Sequence, residues 1–417
     1  MNSQMDIAEK QNVGALEGSS LAFAVGFFFS LRISIALFSV RILGIEPSTG
    51  AEIGLALNLL LLGVVCFDSG PGRRTLGSIL QLPSVRWVLA FLIFSCCSLA
   101  WSETASLPNS TAYWCGMFTD VAIVVLLLRD RSVTGASHSL LKGFIWSTCC
   151  LALIAWIMPA QSDLRLGDED YFNANQIGNL CAFAILFAQY LMRRKEGKWG
   201  LAIFFLVITL FRSLSKTTLV AFLVSESFLV IQDRSLRRKT KIMLIVTVTL
   251  IIFAFWGLYE AYFDIYYTTA GNQAETLTGR TAIWLYVLGA ISDHPWNLWI
   301  GHGFDSMWHV IPLFAAGQFE ARHAENELLQ QLYAYGLAGV VLLGLIYGSL
   351  YRQIRKLSRG PVKMVLLSIM LFVVVRGLAE AEPFDLLLPL WAIVLISVLA
   401  DNISTAEQKM GAMSPST

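Results

Sequence analysis

The sequence predicts an all-α polytopic membrane protein, with about 12 transmembrane helices and one large extracytoplasmic loop. Three observations carry that prediction. Of 417 residues, 56% are hydrophobic and 14% charged, against roughly 25% charged in an ordinary soluble domain. Apolar stretches of about 15–22 residues recur along the chain, the length at which a helix crosses about 30 Å of hydrocarbon. Basic residues are segregated into alternate connecting segments, the bias that membrane insertion imposes.

Residues 1–19 form a polar tail with Lys10 and no cleavable signal pattern, and the stretch 20–42 is long enough to remain as the first span. Spans two to nine are expected at 51–67, 86–103, 113–129, 140–158, 174–192, 199–212, 215–232 and 242–261. The seventh and eighth are joined by a tight turn near Leu214. The large loop occupies 262–327, and the last three spans, 328–350, 363–378 and 384–400, precede a second tail at 401–417. The seven cysteines fall in or beside apolar spans without disulfide or metal spacing, so they read as small buried hydrophobic residues. Arg32, Asp120 and Glu226 sit well inside spans. A charge there must pair or face a wet cavity, and Arg32 with Asp120 is one pairing the topology allows.

With the amino terminus inside, 22 of the 30 basic residues fall on inner segments, both tails are cytoplasmic, and the large loop is outside. Eight cations remain: Arg32, Arg41, Arg165, Arg212, Lys216, Arg280, Arg322 and Arg376. All but Arg32 map to the outer face or an outer helix end, where topology gives no reason for positive charge. Singly, each is a solvated or snorkelling side chain. As a set they suggest a basic pocket facing outward.

The loop supplies the remaining chemistry. It holds four of the five histidines, His294, His302, His309 and His323. After Thr278-Gly279-Arg280, the residues Ile283, Trp284, Val287, Leu288 and Ile291 repeat at helical spacing. They predict an interfacial amphipathic helix that ends near Asp293-His294-Pro295. Arg280 in the first turn opposes the helix dipole, a placement that makes sense if it and the free N–H groups hold an anion such as phosphate. His323, in His323-Ala324-Glu325-Asn326 at the lip of the tenth span, can accept a proton from a hydroxyl at neutral pH. His302, Asp305 and His309 match no metal signature, and neither a nucleotide-binding loop nor a nucleic-acid module is present.

Several short motifs follow in a fixed order: Ser98-Leu99-Ala100-Trp101-Ser102, Asn173-Ala174-Asn175 with Gly178, Ser215-Lys216-Thr217, Thr278-Gly279-Arg280 with Trp284, Gly301-His302-Gly303-Phe304, His323 to Asn326, and Gly336 to Gly339. In this order they resemble the O-antigen ligase and polymerase superfamily across roughly residues 165–400, with the Ser98–Ser102 run and the topology as the support from the N-terminal third. The resemblance implies a C-type glycosyltransferase-like fold in a bacterial inner membrane, without metal, nucleotide sugar or other cofactor. It further implies transfer of a glycan from a polyprenyl-pyrophosphate carrier, with carrier-linked oligosaccharides as donor and acceptor and a chain-length regulator or flippase as partner. Carried over, Arg280 is expected to bind the pyrophosphate with Lys216, Arg212 and Arg376, and His323 to activate the acceptor hydroxyl. Asn175, Asn326 and Arg322 are candidates for contacts to the glycan.

Two positions depart from the family pattern. Ser215-Lys216-Thr217 stands where Ser-Arg-Gly is common, so a bidentate contact becomes a point charge. Glu325, rather than histidine, directly precedes Asn326, which leaves the base open between His323 and Glu325. The lysine form is closer to the exopolysaccharide-polymerase branch. A pyrophosphate leaves as an anion, so cations on the departing phosphates matter more than a general acid, and one displacement would invert the anomeric centre. Rival expectations are a ligase that joins glycan to lipid A-core, and a twelve-span transporter or glycan flippase. The transporter would show related halves, and none are visible.

Overall fold

The computed structural model describes residues 20–45, 47–68, 75–130, 132–159, 161, 164–168, 172–232, 237–262, 280–306 and 323–413. Regular structure among them is helical, apart from one isolated bridge between Asp168 and Phe172. The helices begin with α1 (Ser20–Leu31), α2 (Ile33–Arg41), α3 (Pro47–Asp68), α4 (Leu76–Leu80), α5 (Pro83–Ser98), α6 (Leu107–Asp130) and α7 (Val133–Ile157). They continue with α8 (Ala174–Arg193), α9 (Gly200–Arg212), α10 (Lys216–Gln232), α11 (Arg238–Ala254) and α12 (256–262). The last five are α13 (Arg280–Ser292), α14 (Pro295–Ile300), α15 (Glu327–Lys356), α16 (Pro361–Gly377) and α17 (Leu390–Met413).

Five stretches among the described residues are long and apolar enough to cross a membrane: Pro83–Trp101, Leu107–Arg129, Val133–Ile157, Glu327–Lys356 and Leu390–Lys409. Counting α1 and α2, which meet at 49°, as one bent span makes six. Helices also lie over the other expected spans, but some are short; α9 has 13 residues. The chain is therefore an all-helical, multi-pass membrane protein.

The core gathers around α17, whose residues Leu390 to Ala400 are buried without exception. A helix apolar on every side belongs in the centre of a large fold. Trp391 there contacts Phe29 of α1 and Phe144 of α7, with ring centroids 5.0 and 5.9 Å away. The ionisable residues expected inside the spans each have a polar partner, as their cost demands. Arg32 meets Asp120 at 2.6 Å, where Asn58 also donates to the carboxylate, and Gln189 donates to Glu226 at 2.9 Å. The cysteines differ from expectation. Only Cys181 is buried, while Cys66, Cys96, Cys97 and Cys150 lie exposed on helix surfaces. An apolar span has an outward face as well as an inward one, and a small hydrophobic side chain suits either.

The expected turn near Leu214 is present: α9 ends at Arg212, Leu214 takes φ 57°, and α10 starts at Lys216. Helix α15 is broken at Gly336, where φ is 62°. The break leaves the carbonyls of Tyr333 and Ala334 without their usual partners along the helix. Backbone N–H groups of His302 and Gly303 fill both, at 3.0 and 2.8 Å. That crossing requires glycine on each side. A Cβ at Gly336 would lie 2.4 Å from the Trp299 carbonyl carbon, and one at Gly301 would lie 2.4 Å from Ala334. His302 is buried in this joint, stacked on Tyr333 at 4.2 Å.

Candidate active site

The starts of α8, α10, α13 and α15 and the segment after α16 converge at one end of the bundle, and short-range sequence chemistry fixes each of them. Helix α8 opens with a capping box, in which the Asn173 side chain accepts from Gln176 N at 2.9 Å and Gln176 returns the bond to Asn173 N. Gly178, one turn in, lets the 213–215 turn approach closely; a Cβ there would lie 3.0 Å from that of Ser215. This contact places Asn175 so that its amide oxygen accepts from Ser215 Oγ at 2.9 Å and Arg165 Nη2 at 2.7 Å.

Helix α13 runs from Arg280 to Ser292, close to the predicted extent. It buries Ile283, Val287 and Ile291 in a small cluster with Ala324 and Tyr333, while Leu285 and Leu288 stay exposed. The spacing of Arg280 and Trp284 now has a physical meaning. Four residues apart, they share one helix face and both grip the turn before α15. Trp284 Nε1 donates to Ala324 O at 3.0 Å, while Arg280 Nε and Nη2 donate to Glu325 Oε2 at 3.2 and 3.0 Å. Glu325 sits in the left-handed region at φ 51°, and Gln330 holds the same turn by accepting from Ala324 N.

His323 lies between two carboxylates. Its Nδ1 is 3.7 Å from Glu325 Oε1 and its Nε2 is 3.8 Å from Glu380 Oε1. Glu325 N–H donates to Nδ1 at 3.3 Å, so in the neutral imidazole the proton is on Nε2, facing Glu380. Glu380 is the most enclosed member, 3% exposed, and accepts from Asn175 Nδ2 at 3.2 Å and Thr217 Oγ1 at 3.3 Å. Burial, reinforced by the charge of Glu325, raises its pKa above the ordinary glutamate value, against the opposing pull of Arg376 and His323.

The predicted cations are dispersed around this centre, each with protein contacts. Arg212 donates to Leu164 O at 2.7 Å, and Lys216 lies over the Tyr262 ring at 5.1 Å. Arg41 pairs with Asp168 at 2.7 Å. Arg376 differs: it is 2% exposed, its Nη1 is 3.7 Å from Glu382 Oε1, and Nε and Nη1 make no hydrogen bond among the described residues. Asn326 caps α15 by accepting from Leu329 N at 3.1 Å and donates to Leu378 O at 3.0 Å, which makes it a brace between two segments of the site. Arg322, Thr278, Gly279 and His309 lie outside the described residues.

The predicted Gly301-His302-Gly303-Phe304 turn is the joint at the α15 break, and it binds the Ser98–Ser102 motif as well. Phe304 N donates to Ser98 Oγ at 3.1 Å, Ser102 Oγ donates to Phe304 O, and Glu103 N donates to His302 O at 3.0 Å. The motifs read separately in the sequence are thus two clusters in space, one braced by glycine and one rich in charge. Residues 201–344 match the O-antigen ligase family model. The exopolysaccharide production protein ExoQ of Rhizobium meliloti (strain 1021) is 24% identical over 383 residues, covering 85% of this chain and 83% of that protein.

The chain is thus similar in sequence to members of the O-antigen ligase/polymerase superfamily.

The superfamily match includes Lys216, Arg280, His323 and Glu325 but stops short of Arg376 and Glu380. Sequence reasoning passed over Glu380 as a functional residue, although it lies only four residues beyond Arg376. His323, Glu325 and Glu380 also present possible ligand atoms that all lie within 4.8 Å of one another, a spacing compatible with a cation. Arg280 supplies positive charge to one of the three, Glu325, at 3.0 Å.

Proposed function

We propose that this protein is a membrane glycosyltransferase that polymerises polyprenyl-pyrophosphate-linked oligosaccharide repeat units on the outer face of the inner membrane. The observation that carries this reading is the charge arrangement at one end of the bundle. Arg280 holds Glu325, His323 lies between Glu325 and the buried Glu380, and Arg376 keeps unmet donors. Glycosyl transfer from a pyrophosphate needs those two functions, cations for the leaving group and a proton acceptor for the incoming hydroxyl.

In the proposed reaction, Arg280 and Arg376, together with Lys216 and Arg212, stabilise the departing pyrophosphate. The acceptor hydroxyl sits between His323 Nε2 and Glu380 Oε1, atoms 3.8 Å apart. Its oxygen attacks the anomeric carbon as the carbon–oxygen bond to pyrophosphate breaks, and the hydroxyl proton passes to Glu380. Glu325 is engaged by Arg280 and serves to hold that guanidinium. One displacement inverts the anomeric centre. Twelve crossings with cytoplasmic termini, a C-type glycosyltransferase-like arrangement and an outward-facing site complete the reading, which agrees with the similarity to an exopolysaccharide production protein.

The ligase reading has one observation in its favour, the description of the matched family. Purified protein given carrier-linked repeat units alone separates the two. A ladder of lengthening glycans supports the polymerase, whereas no product until lipid A-core is added supports the ligase. Substrate movement across vesicles with no new glycosidic bond would overturn both.

A further inference from the structure

A cavity of about 270 Å³ lies between α3 and α6, beside the segment that follows Glu380 in the chain. Its size is near the lower end of the roughly 300–1,000 Å³ usual for small-molecule sites. One face of α6 lines it from Asn109 through Tyr113 and Gly116 to Asp120, a run of about 16 Å at 1.5 Å per residue. Glu52 and Asn58 of α3 face that run, Arg32 sits at the α1–α2 bend, and Phe384 and Asp385 close one side.

Three features fix the kind of occupant. The single lining cation, Arg32, is already engaged by Asp120 at 2.6 Å, and Glu52 and Asp385 are further acids, so the cavity offers a phosphate or pyrophosphate no uncommitted positive charge. Asn58 is 2% exposed and gives its amide nitrogen to Gly116 O and Asp120, yet its Oδ1 accepts from no group among the described residues. A buried acceptor left empty is costly, and a lipid tail could not fill it. On the wall, Tyr113 stacks on Phe384 with centroids 4.1 Å apart, an apolar flat surface beside polar groups. A neutral ring bearing hydroxyls meets all three conditions.

We propose that this cavity is a carbohydrate subsite. It holds one uncharged sugar of the glycan, with a hydroxyl donating to Asn58 Oδ1 and the ring against Tyr113 and Phe384. The assignment rests on the glycan-transfer reading above for its choice of ligand. Phe384 and Asp385 lie four and five residues beyond Glu380 in one connecting segment. A sugar seated here would therefore anchor the chain whose next unit reacts at Glu380.

The test uses the full-length protein in lipid nanodiscs. The probe is the free oligosaccharide repeat unit, released from the host's own polysaccharide by partial depolymerisation and titrated calorimetrically. Gly116→Leu fills the cavity without touching a charge, because a Cβ built there meets only Leu55 Cδ1 at 4.0 Å. Gly54→Leu, with nothing within 4 Å of its Cβ, is the second filling variant should the first fail to fold. Binding by the unaltered protein and at least a tenfold loss in a folded filling variant is the expected result. No binding by the unaltered protein, or unchanged binding in the filled variants, overturns the subsite and leaves the cavity to water or lipid. If the oligosaccharide binds and filling abolishes it, but the unaltered protein forms no glycosidic bond, the transfer reading fails and the subsite stands.

Discussion

Replacing Glu380 with glutamine is the sharpest test of the proposed proton path. The change is nearly isosteric, and an amide oxygen can keep the bonds from Asn175 Nδ2 and Thr217 Oγ1 that the carboxylate accepts at 3.2 and 3.3 Å. The fold should therefore survive, since no buried donor loses its acceptor. What disappears is the only proton-accepting atom opposite His323 Nε2 in the proposed geometry. A positioned acid–base group contributes roughly 10²–10⁴-fold in rate, so kcat should fall by about that factor while KM for the carrier-linked unit changes little. The pH profile gives a second readout. Burial and the neighbouring Glu325 raise the Glu380 pKa, so the ionised, active form is present only above that raised value and is lost as pH falls through it. His323, Arg376 and Glu382 face the same group and are unchanged in the variant. The acid limb should thus lie above that of an ordinary glutamate and vanish in Glu380→Gln. The assay is gel analysis of ladders made by purified protein. A variant within about threefold of the parent, with its acid limb intact, would refute the role.

Three further outcomes are expected. Arg280→Ala should lower polymer formation by at least the roughly 10²–10³-fold typical of losing one charge-stabilising donor, with protein levels in membrane fractions unchanged; near-normal polymer would remove Arg280 from the leaving-group site. Gly178→Ala should press on Ser215, 3.0 Å away, at about 1–3 kcal/mol for overpacking, visible as a lower unfolding temperature together with reduced activity. Exhaustive treatment with EDTA should leave activity intact, since the proposed reaction uses Arg280, 3.0 Å from Glu325, in place of a metal ion; loss restored by a divalent cation would mean that His323, Glu325 and Glu380 bind it.

The helical, membrane-spanning character of the chain was legible because apolar length is a local property of the sequence. The number of crossings is less so. Helix α9 is apolar yet has only 13 residues, and periodicity cannot distinguish a short crossing from a buried half-helix. The glycine motifs were legible as turns but not as contacts. Gly336 and Gly301 are needed where two backbones cross 35 residues apart in the chain, and a sequence pattern carries no sign of which turn meets which. The bond from Asn326 to Leu378 O was hidden for the same reason, since it joins segments 52 residues apart.

The missed carboxylate has a more general cause. Lys and Arg follow the positive-inside bias, so a basic residue on the wrong side stands out against a strong background. That contrast singles out Arg280 and Arg376 in the sequence alone. Asp and Glu contribute little to orientation, so no background exists against which Glu380 could look misplaced. Its significance emerges only from burial at 3% exposure and from the imidazole 3.8 Å away. Among membrane enzymes that act on anions, charge counting should therefore reveal the residues that hold the leaving group. The acids that handle protons will be found by asking which carboxylates are enclosed beside a histidine and still lack a cation in contact.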